Sequence, residues 1–597
     1  MIDKVGRRIY YMYIEKINGP EDVKKLNIEE MTALAEEMRH ALLKRASIHG
    51  GHFGPNFGMV EAIIALHYVF ESPKDKMVFD VSHQTYPHKM LTGRKDAYLY
   101  EEHYDDVTGY SCPQESEHDH FTVGHTSTSV SLACGLAKAR DLRGESANVI
   151  AIIGDGSLSG GEALEGMDFA AELDSNMIIV VNDNDMSIAE NHGGLYKGLK
   201  ELRDTNGESP DNIFKAMGLE YYYLGDGHDV SALIKLFTSV KDIDRAVVLH
   251  IHTIKGKGLK YAEENKEYWH AGGPFHIEDG SPKGPGWPVN ETVRESVLDL
   301  IEKRSDVVAI TAGTPSVIGF TEDYRKRAGK QFVDVGIAEE HAVAMASGIA
   351  RNGGTPIFGV FSPFLQRTYD QLSSDLCLNN NPAVIMVFMA SVYGMNSNTH
   401  LGIYDIPMIS HIPNLVYLAP TSKEEYLAMF KYATTQKAHP IAIRIPMMMP
   451  ETGIEDTTDY SLLNKYQVVR KGSGVAIIAL GDFFELGVQI ADKYKILTGN
   501  DVTLINPKFI TGIDEELLEC LKTDHKLVLT LEDGIVEGGF GQTIASFYGL
   551  SDMKVKNYGI KKSFPTDFRP EELMRENGLS VEQIVEDIKS VCREHVM

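Results

Sequence analysis

The chain repeats one pattern: a short run of aliphatic and β-branched residues, a turn containing glycine or acidic residues, and then a segment of helical length. The runs are Val149–Ile153, Met177–Val181, Val247–Ile251, Pro356–Phe361, Ala383–Met389, Val475–Leu480, Val502–Ile505 and Leu527–Leu531. Continuous apolar runs separated by helical segments are typical of strands that are buried on both faces in parallel sheets. The pattern therefore predicts an α/β protein with mostly parallel, doubly wound sheets.

The length of the chain and two changes in its composition predict three such domains. With 597 residues, the chain is too long for a single hydrophobic core. A segment rich in glycine and proline, 272–288, and a polar segment, Lys465–Ser473, interrupt the strand pattern. We therefore expect domains at residues 1–288, 289–466 and 467–597.

Charge and cysteine content disfavour several classes of function. The formal net charge is −27, and so acidic a surface repels the phosphate backbone of nucleic acids. No apolar run approaches the roughly 18 residues that a membrane span needs. The five cysteines are scattered and form no C-x-x-C pair, which suits a reducing compartment. We therefore expect a cytoplasmic protein that binds neither nucleic acid nor membrane.

Two polar turns that follow neighbouring predicted strands are the strongest local signal. Asp155 and Asn184 follow the first two runs, and a predicted helix, Gly161–Leu173, connects them. A right-handed crossover brings such turns to one edge of the sheet, where α/β proteins bind ligands. Carboxylate and amide oxygens suit Mg²⁺, and Gly156 allows a diphosphate to approach the backbone. Each turn alone is more often only a turn, but the pair predicts a magnesium and diphosphate site.

The segment that contains these turns, GDGSLSGGEALEG…VVNDNDMSI, resembles the thiamine-diphosphate motif of the transketolase superfamily. More narrowly, the chain resembles the 1-deoxy-D-xylulose-5-phosphate synthase family. The matching segments are Gly50–Phe70, Asp80–Arg94, Glu115–Ser131, Asp334–Ala350, Phe364–Gln371 and, more loosely, Leu531–Gln542. HQTYPHKMLTGR and GHTSTS are the most specific of these motifs.

This resemblance implies a transketolase-like fold, a homodimer, and thiamine diphosphate and Mg²⁺ as cofactors. The family decarboxylates pyruvate and transfers the two-carbon unit to an aldehyde, D-glyceraldehyde 3-phosphate, which supplies isoprene biosynthesis.

The resemblance also implies a role for individual residues. Mg²⁺ would be held by Asp155, Asn184 and the backbone carbonyl of Met186. Residues that would hold the diphosphate and thiazolium are His83, Gly124, His125, Thr126, Gly156, Ser157 and Asn184. Glu339 would contact the aminopyrimidine ring of the cofactor, Phe364 would stack on that ring, and Arg367 lies in the same matched segment.

Some of these roles also have a chemical rationale. A carboxyl group such as Glu339, hydrogen-bonded to the aminopyrimidine, favours the tautomer that activates the thiazolium carbon. Out of context, a carboxylate at the start of a helix is explained equally well by the helix dipole. We expect His52 and His400 near the reacting carbonyls, since imidazole exchanges protons near neutral pH. Lys255 is a weaker candidate for balancing phosphate charge and could equally be a surface lysine.

The chain departs from the family pattern mainly where the family binds the acceptor phosphate. Met389 and Met447 stand where the family has arginines, Asn396 where it has aspartate, and Phe361 and Leu259 where it has tyrosines. Arginine binds phosphate through charge-assisted pairs of hydrogen bonds, whereas methionine offers neither charge nor donor. Losing two such contacts, at about 1.5–3 kcal/mol each, weakens phosphate binding by orders of magnitude. We therefore expect a less charged or apolar acceptor, or a phosphate held by other residues.

Four alternatives remain open from the sequence. The chain could be an orthodox synthase of isoprenoid precursors, a transketolase acting on ketose phosphates, a 2-oxoacid dehydrogenase component, or a non-catalytic paralogue that binds the cofactor. The HQTYPHK and GHTSTS segments argue against a transketolase, and Glu339 beside Asp155 and Asn184 argues against a non-catalytic protein. The third domain carries no assignable catalytic residue and is expected to be architectural. A functional role for Glu532-Asp533-Gly534 stays open.

Overall fold

The computed structural model describes residues 12–284, 291–395, 397–566 and 568–593. These residues fall into two compact units. Unit 1 contains the described residues up to 284 together with Gly336–Ala338, and unit 2 contains the others. In the part of the chain that the structure describes, no helix is long and apolar enough to cross a membrane.

Unit 1 contains a five-stranded parallel sheet and a separate two-stranded ribbon. Its strands are β1 (Gly51–His52), β2 (Lys76–Phe79), β3 (Val149–Gly154), β4 (Met177–Asp183), β5 (Glu220–Leu224), β6 (Ala246–His252) and β7 (Ala271–Gly272). Its helices are α1 (Pro20–Val23), α2 (Ile28–His49), α3 (Gly54–Gly58), α4 (Val60–Val69), α5 (Tyr86–Lys89), α6 (Asp96–Leu99), α7 (Ser129–Leu142), α8 (Gly161–Ala170), α9 (Gly194–Asp204), α10 (Ile213–Ala216), α11 (Val230–Val240) and α12 (Lys260–Glu264). The sheet has the order β2-β3-β4-β6-β5, and β1 pairs with β7 as a short antiparallel ribbon.

The apolar runs of unit 1 are buried because helices cover both faces of the sheet. Successive residues of a strand point to opposite faces. Accordingly, Ile150 and Ile152 of β3 join a hydrophobic cluster that includes α2, α4 and α11. Ala151 and Ile153 join a second cluster, which includes α7, α8 and α9. This two-sided burial explains why the sequence shows continuous apolar runs rather than an alternation of apolar and polar residues.

Unit 2 contains two further sheets. Its strands are β8 (Val307–Thr311), β9 (Phe332–Asp334), β10 (Thr355–Phe361), β11 (Val384–Phe388), β12 (Val416–Leu418), β13 (Ile441–Arg444), β14 (Gln467–Arg470), β15 (Gly474–Ala479), β16 (Thr503–Asn506), β17 (His525–Ile535) and β18 (Lys554–Ile560). Its helices are α13 (Glu291–Lys303), α14 (Glu322–Ala328), α15 (Glu339–Arg351), α16 (Ser362–Leu365), α17 (Asp405–Ile409), α18 (Lys423–Thr435), α19 (Phe484–Thr498), α20 (Glu515–Leu521), α21 (Phe540–Tyr548), α22 (Pro570–Glu576) and α23 (Val581–Arg593). The six-stranded sheet has the order β12-β13-β11-β10-β8-β9, and the five-stranded sheet has the order β14-β16-β15-β17-β18.

The predicted fold class is confirmed, since the three main sheets are parallel except at one edge. Each of the eight apolar runs corresponds to a strand. The exception is β14, which pairs antiparallel with β16 inside the polar segment Lys465–Ser473. Its residues alternate between exposed and half-buried, so the segment lacks the apolar run that identified the other strands.

A buried charge cluster links the two sheets of unit 2. The guanidinium of Arg444, at the end of β13, donates to Asp405 in α17 and to Asp533 in β17. Arg444 is 3% exposed, and Asp405 also accepts a hydrogen bond of 2.5 Å from the Tyr417 hydroxyl. Burial raises the pKa of the Asp533 carboxyl, and the charge of Arg444 opposes that shift. The guanidinium therefore compensates the charges of Asp405 and Asp533, which would otherwise be buried between the sheets without a partner of opposite charge.

Arg444→Met should destabilise the protein strongly, because it leaves two buried carboxyl groups without their cation. Breaking a buried ion pair costs about 3–5 kcal/mol. Thermal unfolding measures the loss, with Arg470→Met as the control, since Arg470 pairs with Asp492 at the surface. The control should change stability by less than about 1 kcal/mol. Equal melting temperatures for the two variants would contradict the structural role of Arg444.

Candidate active site

The polar loops of unit 1 lie at one edge of its sheet. His83 follows β2, Asp155 follows β3, Asn184 follows β4 and Lys255 follows β6. These four strands are consecutive neighbours in the parallel sheet, so their carboxyl ends lie side by side. Ligands bind at this edge in open α/β sheets. Parallel pairing therefore brings together candidate residues that are far apart in the sequence.

Asp155 and Asn184 form a pocket of oxygen atoms that suits a cation. The Asn191 amide donates to one Asp155 oxygen at 2.7 Å, and the Asn184 backbone N–H lies 3.5 Å from the other. Burial and the nearby charge of Asp183 raise the pKa of Asp155 to about 7. The side-chain oxygen of Asn184 is buried and has no hydrogen-bond partner among the described residues. A hard cation such as Mg²⁺ would use both oxygens and stabilise the charged form of Asp155, so these residues fit the metal.

Asp183 adds a fixed negative charge beside this pocket, which the sequence analysis did not identify. His250 Nε2 lies 2.8 Å from its carboxylate, and Arg203 donates to the same oxygen at 2.6 Å. Although burial raises the pKa of Asp183, these two partners hold it at about 2. Asp183 therefore stays ionised, and its charge favours a bound cation. The Asn-Asp-Asn sequence at the carboxyl end of β4 was the available signal.

Lys255 is a buried residue rather than a surface lysine. It is 2% exposed, and its ammonium group donates to the Ser187 carbonyl at 2.5 Å. Burial lowers the pKa of Lys255 to about 7, while the charge of Asp155 opposes the shift. Ser187 follows Met186, whose backbone forms an isolated β-bridge with Glu190. Lys255 therefore lies against the predicted metal and diphosphate segment.

Glycine is required at position 156 for close packing. A Cβ atom there would lie 2.9 Å from the Ser187 hydroxyl, closer than real Cβ contacts.

The loops that carry His83 and residues 124–126 are fixed by a buried aspartate. Asp80 accepts hydrogen bonds from the backbone N–H groups of Ser127 and Ser129 at 2.8 and 2.9 Å. The Ser127 hydroxyl in turn donates to the Ser157 carbonyl at 2.7 Å. Ser127, which is bonded to the turn containing Ser157, directly follows the candidate residues Gly124, His125 and Thr126. The sequence analysis did not identify Asp80 as the residue that holds these loops.

Three histidines form a cluster in unit 1. The ring centroid of His52 lies 5.2 Å from that of His83 and 5.9 Å from that of His270, and the last two are 5.3 Å apart. The Asn56 amide donates to the backbone carbonyls of both His52 and His83, at 2.8 and 2.7 Å. Burial lowers the pKa of His52 to about 4 and that of His270 well below its usual value. Both rings are therefore neutral at physiological pH.

The sequence analysis missed His270, although it lies beside the glycine-rich segment that it treated as a boundary. Leu259, by contrast, packs into the hydrophobic core of unit 1 at 6% exposure.

In unit 2, Glu339 is a buried carboxyl group with unused hydrogen-bonding capacity. It is 3% exposed and begins α15, shortly after β9. Its Oε2 atom has no hydrogen-bond partner among the described residues, and Arg367 Nη1 lies 3.6 Å from that oxygen. Burial raises the pKa of Glu339 to about 7, against the opposing charge of Arg367. A carboxyl group that keeps its proton near neutral pH can donate to a ring nitrogen, which is the contact that the family resemblance implies for Glu339.

Aromatic residues and His400 lie on the next loops of the same sheet. Phe361 ends β10 and Phe364 follows it, with their rings 5.9 Å apart. The ring of His400 meets that of Phe364 edge-on at 5.5 Å. The Thr399 hydroxyl lies 2.9 Å from His400 Nδ1. These contacts bring Phe361, Phe364 and His400, which the sequence analysis selected separately, into one cluster.

The predicted acceptor residues follow three adjacent strands. Phe361, Met389 and Met447 lie at or just beyond the carboxyl ends of β10, β11 and β13, which are neighbours in the sheet. Met389 has a left-handed backbone with φ of 52°. A Cβ atom on Gly402 would lie 1.8 Å from the Met389 carbonyl oxygen, so glycine is required there. Asn396 lies outside the described residues.

Comparisons with known protein families match the chain in successive segments. The family model of 1-deoxy-D-xylulose-5-phosphate synthase matches residues 14–209 and 205–253. The transketolase pyrimidine-binding domain model matches residues 288–450, and the transketolase C-terminal domain model matches residues 464–584. These matches define a transferase of the transketolase type.

Curated relatives specify the family. A 1-deoxy-D-xylulose-5-phosphate synthase of Carboxydothermus hydrogenoformans is 37% identical over 614 residues, covering 96% of this chain and 98% of its own. One from Alkaliphilus oremlandii is 36% identical over 622 residues, covering 97% and 99%. A solved transketolase of Campylobacter jejuni aligns with 95% of this chain and 100% of its own, at 16% identity and a TM-score of 0.43. The chain belongs to the 1-deoxy-D-xylulose-5-phosphate synthase family, whose carboligases depend on thiamine diphosphate.

Glu339→Gln should stabilise the cofactor-free protein at high pH. Because the native pKa of Glu339 is raised from 4.5 to about 7, its stabilising contribution is complete below pH 4.5 and is lost as pH rises through 7. Glutamine keeps the shape of the side chain without the charge. The gain from the substitution should therefore be about 2 kcal/mol larger at pH 8 than at pH 5.

Thermal unfolding of the cofactor-free variants at these two pH values measures the effect. Glu571→Gln, in the exposed first turn of α22, is the control, and its effect should not depend on pH in this way. A gain from Glu339→Gln that is equal at pH 5 and pH 8 would contradict the raised pKa.

Proposed function

We propose that the protein is a carboligase that uses thiamine diphosphate and Mg²⁺, decarboxylates pyruvate and transfers the two-carbon unit to an aldehyde less charged than glyceraldehyde 3-phosphate. The observation that carries the acceptor assignment is the position of Met389 and Met447 after the adjacent strands β11 and β13. These are the two positions at which the family pattern has phosphate-binding arginines. The candidate cofactor residues, in contrast, match the family motif at most positions.

The cofactor would be held mainly by the loops of unit 1. Asp155, Asn184 and the Met186 carbonyl would coordinate Mg²⁺, as the unpartnered Asn184 oxygen and the raised pKa of Asp155 favour. Residues that would surround the diphosphate and thiazolium are His83, Gly124, His125, Thr126, Gly156, Ser157 and Lys255. Because burial lowers the pKa of Lys255 to about 7, its amine is only partly protonated at neutral pH. The negative charge of a bound diphosphate would favour the protonated ammonium form.

Side chains of the protein would donate and accept the protons that the reaction moves. When bound, thiamine diphosphate supplies a thiazolium carbon that adds to the keto carbon of pyruvate and accepts the electron pair released with carbon dioxide. Glu339, whose pKa is about 7, would share its proton with the aminopyrimidine, and Phe364 and Arg367 would flank that ring. We assign His52, a neutral imidazole, a hydrogen bond to the reacting carbonyl, and we assign His400 proton exchange there.

The proposed acceptor follows from hydrogen-bonding capacity at the strand ends. Methionine cannot donate a hydrogen bond, and its flexible thioether fits apolar groups. Arg444, the arginine that remains in this segment, already donates to Asp405 and Asp533. A phosphate placed here would lose the charge-assisted contacts on which the family pattern relies.

We also propose a homodimer that works in the cytoplasm. The dimer is supported by the family resemblance of the chain. The compartment is supported by the free thiols of the described cysteines, three of which are buried. Sedimentation of the purified protein would test the dimer directly.

Asp155→Ala should weaken the magnesium-dependent binding of the cofactor. The variant loses a charged metal ligand, so the affinity for thiamine diphosphate in the presence of Mg²⁺ should fall about tenfold or more, equivalent to about 1.4 kcal/mol. Isothermal titration measures this without any need for turnover. Asp168→Ala, an exposed position on α8, is the matched control and should bind as the parent does. Unchanged affinity in Asp155→Ala would contradict the metal assignment.

The acceptor assignment predicts a preference between two aldehydes that differ only in a phosphate. With pyruvate, the purified protein should use glyceraldehyde with a higher kcat/KM than glyceraldehyde 3-phosphate, because two arginine contacts are missing. Release of carbon dioxide and formation of the ketose measure the reaction. Efficient use of the phosphorylated triose with a micromolar KM would instead identify an orthodox synthase. Absence of carbon dioxide release with any acceptor would favour a transketolase or a non-catalytic protein.

A further inference from the structure

Asp482 holds the backbone of the predicted acceptor segment. It lies in the short turn between β15 and α19. One carboxylate oxygen accepts from the Met447 backbone N–H at 3.0 Å, and the other accepts from the Met448 backbone N–H at 3.3 Å. Asp482, in a turn that follows a strand of the five-stranded sheet, thus uses both carboxylate oxygens to bind the loop that follows β13 of the six-stranded sheet.

Such a pair of backbone donors is a common way to bind an anion. Successive N–H groups that converge on one point make a concave site for phosphate or carboxylate. Here the chain's own carboxylate occupies these donors, directly at the position where the family pattern has its second arginine. A phosphate would therefore find neither the arginine nor free backbone donors at Met447 and Met448.

The charge around Asp482 also opposes an anion. Burial, together with the nearby charge of Asp533, raises the pKa of Asp482 to about 7. Asp405, Asp482 and Asp533 share the single guanidinium of Arg444, which donates directly to the first and the last. Three carboxyl groups share one guanidinium, so the cluster has a net negative charge as long as no more than one of the three is protonated. Negative potential at the acceptor end of a site repels anionic substrates.

The neighbouring surface offers apolar contacts instead. Met447 is half-buried, Met448 is 70% exposed, and Met449 follows them. Unbranched thioether side chains adapt to apolar ligands of varied shape. An uncharged aldehyde therefore meets a suitable surface, whereas an anionic one meets carboxylates.

We propose that Asp482 is a specificity-determining residue that excludes acceptors carrying a phosphate, so that the acceptor is an uncharged aldehyde. This inference rests on the carboligase function proposed above. It extends that proposal from missing contacts to an active repulsion, which a single substitution can remove. Specificity commonly combines the loss of favourable contacts with such repulsive elements.

The test compares Asp482→Asn and Asp482→Ser with the parent. Asparagine keeps one acceptor oxygen for the loop and removes the charge, and serine provides a second variant in case the first folds poorly. The readout is the ratio of kcat/KM for glyceraldehyde 3-phosphate to that for glyceraldehyde, each with pyruvate. A general loosening of the loop lowers both values together, so the ratio isolates the effect of charge. We expect the ratio to rise about tenfold or more, mainly through a lower KM for the phosphorylated acceptor.

Glu485→Gln is the matched control, because it removes one negative charge from the exposed first turn of α19. It should leave the ratio within about twofold of the parent, well below the 1.4 kcal/mol of a tenfold change. A parent enzyme that prefers glyceraldehyde, combined with an unmoved ratio in both Asp482 variants, would overturn the role of Asp482 alone. A parent enzyme that prefers the phosphorylated acceptor would overturn both this inference and the proposed acceptor.

Inorganic phosphate supplies a second arm that does not depend on turnover. Titration calorimetry should detect tighter phosphate binding to Asp482→Asn than to the parent or to Glu485→Gln. Equal phosphate affinity in the three proteins would overturn the inference even if no acceptor were turned over.

Discussion

Parallel pairing of buried strands is the constraint on which the proposed site depends. Because the strands of each sheet run in one direction, every loop after a carboxyl end lies on the same edge. In unit 1 this gathers His83, Asp155, Asn184 and Lys255. In unit 2 the same geometry places Glu339, Phe364, Met389 and Met447 on loops along one edge of the six-stranded sheet. The apolar runs that form the strands therefore also determine which distant polar residues meet.

Burial of charged groups then gives these edges their chemistry. Desolvation raises the pKa values of Asp155 and Glu339 to about 7 and lowers that of Lys255 to about 7. Each group is thus poised to change its protonation state when a partner of opposite charge or a ring nitrogen arrives. The cluster around Arg444 also depends on buried charges, since it connects two sheets and places carboxyl groups beside the predicted acceptor segment.

The sequence predicted the fold class because strands buried on both faces leave a continuous apolar pattern. Its eight runs do not include the other ten strands: β9 and β12, which have only three residues each, β14, which lies at an edge with exposed residues, and β1, β2, β5, β7, β8, β13 and β18. It also could not decide whether Lys255 was buried, because a basic loop looks the same in either case.

Candidate site residues were visible in the sequence where they form local motifs, such as Asp155 with Gly156. His270, Asp80 and Asp482 were missed because their importance arises from contacts between distant segments.

Whether Glu339 and Asp155 serve one cofactor is the central claim, and a crystal structure of the protein with thiamine diphosphate and Mg²⁺ tests it most directly. We predict the metal on the oxygens of Asp155 and Asn184, with the Glu339 carboxyl group hydrogen-bonded to the aminopyrimidine. Cofactor bound elsewhere, or a Glu339 carboxyl group remote from the ring, would contradict the account.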